Sequence, residues 1–164
     1  MTSLRWIACA VFILSLAAAC SGASSKANQA IKNDFKRYVA QIASIADIEV
    51  AADEAHKQAV SAPNANDAAY ARALRETIVP KYEEFEREIA RIHPTTNEIL
   101  GLHKILLTRI SLEVQGFKEL ERAARTGDAA AIPKANALFA DGKFYYNKWA
   151  QQMGDLGKQY SNDK

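Results

Sequence analysis

Residues 95–128 read TTNEILGLHKILLTRISLEVQGFKELERAARTGD. The stretch opens on Thr95-Thr96-Asn97-Glu98, the pattern of a capping box in which Thr95 accepts from the first helical turn and Glu98 reaches back. Ile99, Leu106, Ile110, Phe117, Leu120 and Ala124 recur at helical spacing and predict one apolar face. Gly127 stands where a left-handed cap ends a helix, and Asp128 stands where the next helix needs an N-cap. A helix bounded so sharply on both sides sets the reading of the whole chain: helices joined by short turns.

Working outward, the same spacing recurs three times. Helix 1 is expected over about 28–61, with Ile31, Phe35, Tyr38, Ile42, Ile45, Ala52 and Ala59 inward. Pro63 breaks it, and Asn64 or Asn66 caps the next helix. Helix 2 is expected over about 67–92, with Ala71, Leu74, Ile78, Phe85, Ile89 and Ile92 on one face. Pro80 lies inside this helix and predicts a kink near Thr77 to Pro80, because proline removes one backbone bond and crowds the preceding turn. Helix 4 begins at Asp128 and carries Ile132, Ala135, Leu138, Tyr145, Trp149, Met153, Leu156 and Tyr160 inward, with Pro133 in its second turn. No alternating strand pattern competes. The expected fold class is all-α, an antiparallel up-down-up-down four-helix bundle over residues 28–164.

The N-terminal end has a different character. Arg5 precedes an apolar run from Trp6 to Ala19 that only Ser15 interrupts. A spanning helix needs about 20 apolar residues, so the run predicts a removable secretory signal over residues 1–19. Ala17-Ala18-Ala19-Cys20 resembles the lipobox of bacterial lipoproteins, in which small residues precede a cysteine that accepts a lipid. The resemblance covers residues 1–21, and it departs from the family at Ala17, where leucine is usual. It implies lipidation of Cys20 and cleavage before it, with a palmitate-type lipid anchor. The alternative is ordinary cleavage after Ala19. Ser21 follows the cysteine where an aspartate would resemble an inner-membrane retention signal. In a Gram-negative host this implies the periplasmic face of the outer membrane. Cys9 leaves with the signal, so the exported chain has one cysteine and no internal disulfide. Residues 20–27 are expected to form a short tether.

All 19 acidic residues and every basic residue except Arg5 lie beyond the signal. The exported part is therefore nearly neutral, with no clustered basic face for nucleic acid. Near the start of helix 1, Lys26, Lys32, Lys36 and Arg37 stand against Asp34, a pattern suited to anionic headgroups or to an ordinary solvated face. Up-down order puts Phe35, Tyr38, Tyr82, Phe85, Tyr145, Tyr146, Trp149 and Tyr160 in the half nearer the membrane, and an alanine-rich half beyond.

Chemistry-bearing residues are few. Glu49, Asp53 and His56 share one helical face, and Asp-x-x-His resembles one half of a di-iron bundle element. The second half has no counterpart, since Ala90 and Leu100 stand three before His93 and His103. His103 lies on the apolar stripe of helix 3 and is expected to be a hydrogen-bonded histidine at the core edge. No triad, phosphate loop or haem-attachment segment occurs. The sequence thus predicts no catalytic residue and no cofactor. It predicts a membrane-tethered, non-enzymatic binding or interaction module whose partners are the membrane and a protein or envelope component. The alternative is a periplasmic metal or cofactor binder using Glu49, Asp53 and His56.

Overall fold

The computed structural model describes the backbone of residues 7–63 and 66–161 and the side chains of 25–63 and 66–160. Asn64, the start of the signal and the side chain of Cys20 lie outside these described residues. The chain is all-α, with no strand among the described residues. Its elements are α1 (Ile7–Ala43), α2 (Ala46–Ser61), α3 (Asp67–Ala73), α4 (Val79–Ala90), α5 (Asn97–Thr126) and α6 (Ala131–Ser161), with a π-helical turn at Leu74–Ile78 joining α3 to α4. These make four helical arms: α1 with α2, α3 with α4, then α5 and α6. No helix among the described residues is long and apolar enough to cross a membrane.

The expected helix 1 is broken. Ser44 turns its hydroxyl onto the Gln41 carbonyl at 2.7 Å, and the Ile45 amide tightens onto Ile42. A serine that bonds nearby carbonyls competes with the helical ladder, and the ladder lapses at Ser44–Ile45. Residues 20–27, expected as a tether, have helical backbone continuous with α1.

Pro80 is accommodated by a wide turn rather than by a simple kink at the proline. The Val79 amide bonds back to the Leu74 carbonyl, five residues earlier. Widening the turn makes room for the ring and absorbs the missing N–H donor. The apolar face survives: Ala71, Leu74, Ile78, Phe85, Ile89 and Ile92 are all buried, as the spacing predicts.

The α4–α5 turn is capped from outside. Thr96 is the N-cap residue of α5 and makes no side-chain capping bond within its own helix. Instead the buried Asp34 of α1 accepts from the Thr95 amide (2.8 Å), the Thr96 amide (2.7 Å) and the Thr96 hydroxyl (2.8 Å). A carboxylate accepts such bonds more strongly than a threonine hydroxyl does, so the cross-helix cap displaces the expected box. Burial pushes the Asp34 carboxyl up, but the bonds from Thr96, Thr95 and Arg37 together outweigh it and hold the group below the usual carboxylate range. Two other ends follow the sequence. Asn66 caps α3 through the Ala69 amide at 2.9 Å. Gly127 takes φ 70°. Asp128, expected to cap the last helix directly, instead accepts from the Ala130 amide at 3.0 Å in the short turn that precedes α6.

The core is built on Tyr38, Leu74, Ile78, Phe85, Ile89, Ile99, Leu102 and Ile110, all fully buried. Of all the elements, α5 packs most extensively on α6. Gly116 permits that approach: a Cβ there would meet the Phe139 ring at 2.6 Å. Ile132 corrects the reading of α6. It is exposed, because Ala131 and Ala135 take the inner face. The aromatic asymmetry is also weaker than expected. Phe117 stacks on Tyr82 with centroids 4.5 Å apart and meets His56 at 5.0 Å and Phe139 at 4.9 Å. An aromatic chain therefore continues into the alanine-rich part of the molecule.

His103 is buried as expected but not bonded as expected. Its Nδ1 has no hydrogen-bond partner among the described residues, and its ring stands edge-on to Tyr38 at 5.7 Å. Burial, with repulsion from His93, pushes its pKa down.

Candidate functional site

The site grows from the stripe of α5. Leu102, Leu106, Arg109, Glu113 and Phe117 follow one another at helical spacing, so two charged residues occupy places that the pattern reserves for apolar ones. Arg109 is about nine-tenths buried. A buried guanidinium needs partners on several sides, and it has them. Its Nε donates to Glu113 Oε1 at 3.0 Å. Its Nη2 lies 2.9 Å from Glu113 Oε2 and also contacts Glu49 Oε1 of α2. Glu113 Oε2 is buried and close to Nη2, but not in line with any N–H. Across the Arg109 guanidinium, the Tyr146 ring of α6 sits 5.5 Å away in a cation–π contact.

One turn along α2 from Glu49, Asp53 accepts a hydrogen bond from the Tyr82 hydroxyl of α4. The break at Ser44–Ile45 separates α1 from α2, which carries Glu49 and Asp53, and the wide turn at Leu74–Ile78 lies shortly before Tyr82. Ala46, Glu49, Val50, Asp53, Arg109, Glu113, Phe139, Lys143 and Tyr146 enclose an open cleft of about 440 Å³. That volume falls within the range typical of small-molecule sites. Both charge signs line it, against an apolar and aromatic wall.

The electrostatics follow from burial and crowding. Burial raises the Glu113 carboxyl, the charges of Glu49 and Asp53 raise it further, and Arg109 offsets only part, leaving it at about 7. Burial lowers the Arg109 guanidinium, but Glu113 and Glu49 more than compensate and keep it protonated. Burial and the bond to Asp53 push the Tyr82 phenol up. A carboxyl whose folded pKa lies above its unfolded value binds more protons when folded, so it withdraws stability as pH rises between the two. Relative to Glu113→Gln, which shares the opposing titration of the buried His56 and His103, wild-type stability should therefore fall by roughly 2 kcal/mol as pH rises from 5 to 7.5. Thermal unfolding across that range checks this, and a parallel slope in both proteins would remove Glu113 as the cause.

The three residues singled out from sequence do not converge on one point. Glu49 goes to Arg109, Asp53 goes to Tyr82, and His56 Nε2 pairs with the Tyr70 hydroxyl at 3.0 Å. Burial pushes the His56 pKa down, against an upward pull from Asp53. Among the described residues no group of three or more histidine, cysteine, aspartate or glutamate side chains is arranged to hold a metal ion. Glu49 and Asp53 do belong to the site, but as the acidic wall of a mixed-charge cleft. Arg109, Glu113, Tyr82 and Lys143 were not singled out from sequence as site residues, whereas Tyr146 was an aromatic that could line a cleft and does line this one. The signal for two of them was present, in the charged residues interrupting the α5 stripe. No protein-family description matches the chain, and no curated protein and no solved structure matches it either.

Proposed function

We propose that this chain is a membrane-tethered, extracytoplasmic lipoprotein whose helical domain is a non-enzymatic binding module, with the cleft beside Arg109 as its ligand seat. The observation that carries the binding reading is the cleft itself: about 440 Å³, open, with both charge signs on its floor. An ion pair built only for stability gains little from an open space beside it. Replacing such a pair with apolar side chains often costs nothing, so stability alone does not call for it, and its place beside a cleft favours a role in recognition. The tether rests on the sequence around Cys20, and in a Gram-negative host the reading puts the protein at the periplasmic face of the outer membrane.

An up-down-up-down arrangement of the four arms belongs to the same proposal. Its support lies in residue pairs that run in opposite order along neighbouring arms. Asp34 meets Thr95 and Thr96, Asp53 meets Tyr82, and His56 meets Tyr70. Likewise Arg109 meets Tyr146, Gly116 faces Phe139, and Glu119 pairs with Lys134.

Fractionation of cells grown with labelled palmitate tests the tether. The wild type should incorporate label and sediment with membranes, whereas Cys20→Ser should lose the label and move to the soluble fraction. An unlabelled wild type, or a Cys20→Ser protein still in the membrane fraction, overturns lipid anchoring at this residue.

A further inference from the structure

The cleft offers an anionic and a cationic handle side by side. Arg109 spends Nε and Nη2 on Glu113 and Glu49, whereas Nη1 makes no hydrogen bond among the described residues. Ionised carboxylates have about four acceptor sites each, so Glu49 and Asp53 keep capacity beyond the single partners they hold. Lys143 adds a second cation among the lining residues, and Val50, Phe139 and Tyr146 supply the apolar wall.

From this juxtaposition we propose that the cleft binds a free α-amino acid with an apolar side chain. The inference rests on reading the cleft as the ligand seat. The ligand carboxylate docks on Arg109 Nη1, its ammonium on Glu49 and Asp53, and its side chain against Phe139 and Tyr146. The charge balance selects this class. A simple anion would lie beside three carboxyl groups, and a simple cation beside a guanidinium and an ammonium. A ligand carrying both charges on one carbon meets both handles without leaving either charge uncompensated. Glu113, held near half-protonation at neutral pH, brings the site closer still to overall neutrality. Adjacent handles also disfavour a peptide, whose terminal charges are separated by at least one further residue, about 3.8 Å between Cα atoms.

Purified full chain in detergent, titrated calorimetrically with L-phenylalanine and L-leucine, tests the proposal. Either amino acid should bind saturably, and at least about tenfold more tightly than L-phenylalaninamide, which lacks the carboxylate, or N-acetyl-L-phenylalanine, which lacks the ammonium. Glu49→Gln and Tyr146→Ala should weaken binding by about tenfold each. Phe144→Ala, at an exposed aromatic not among the lining residues, should leave binding unchanged, and circular dichroism should confirm that all three variants fold. Equal binding of the amide, equal binding of the dipeptide Phe-Phe, or no saturation by either amino acid up to about 10 mM overturns the assignment. A ligand-observed NMR screen of mixed small metabolites separates the two levels of inference. Hits of another class that vanish in Tyr146→Ala keep the ligand seat and reject the amino acid. No hit of any class rejects the seat as well, and the Cys20 tether is judged independently by fractionation.

Discussion

Arg109→Ala is expected to cost about 3 kcal/mol of stability at pH 8, because it leaves Glu49 and Glu113 facing one another without a cation between them. The loss should shrink as the pH falls. Removing the guanidinium takes away the influence that lowers the Glu113 carboxyl, so the variant protonates more readily than the wild type and relieves the repulsion. Denaturant unfolding at pH 8 and at pH 6 reads both effects. A pH-independent loss would mean that the side chain acts by packing alone. A loss below about 1 kcal/mol would place the trio with ordinary surface pairs. The double variant Arg109→Met/Glu113→Leu sharpens the test, since exchanging a buried pair for apolar side chains often restores stability.

Asp34→Ala should be comparably damaging, at about 3 kcal/mol. One buried carboxylate holds two backbone amides and a hydroxyl of the α4–α5 turn. Its removal separates the start of α1's described face from the start of α5 and leaves those donors to find water. Asp34→Asn retains one acceptor oxygen and should recover part of the loss. Because the folded carboxyl titrates below its unfolded value, its contribution is fully present at neutral pH and is lost as the pH falls below about 4. Chemical denaturation of both variants at neutral pH checks the ranking. A harmless Asp34→Ala would mean that the turn is held by other contacts.

How far the sequence reached is clearest in helix 2 and at Glu49. Six apolar residues at helical spacing defined a buried face, and all six are buried, because repeated burial leaves a periodic trace. Local signals at helix ends were equally legible, since Asn66 before α3, Gly127 after α5 and Asp128 ahead of α6 act on their own neighbours. What escaped depends on partners distant in the chain. Thr95 to Glu98 carries a valid capping pattern, yet Asp34, some sixty residues away, outcompetes it. Glu49, Asp53 and His56 do share a helical face, but spacing within one helix cannot say which residues of the other helices face it. Arg109 and Glu113, four apart, have the spacing of an ordinary exposed ion pair. Only their phase on the α5 stripe marked them as interior. His103 illustrates the reverse case: its burial was legible from phase, its lack of a partner was not.

The wide turn at Leu74–Ile78 has a consequence for how α3 and α4 are keyed together. A turn containing an additional residue retards the winding by roughly the angle that one residue normally contributes, about 100°. Everything after it is rotated by that amount relative to an uninterrupted helix. Ala71 and Tyr82 therefore answer to two separate angular frames, one matched to the residues around Tyr70 and His56, the other to Asp53 and the charged trio. Excising a single residue between them would merge the frames and turn the Tyr82 hydroxyl away from Asp53. The extra residue held in the wide turn ahead of Pro80 thus sets the angle at which the phenol reaches Asp53.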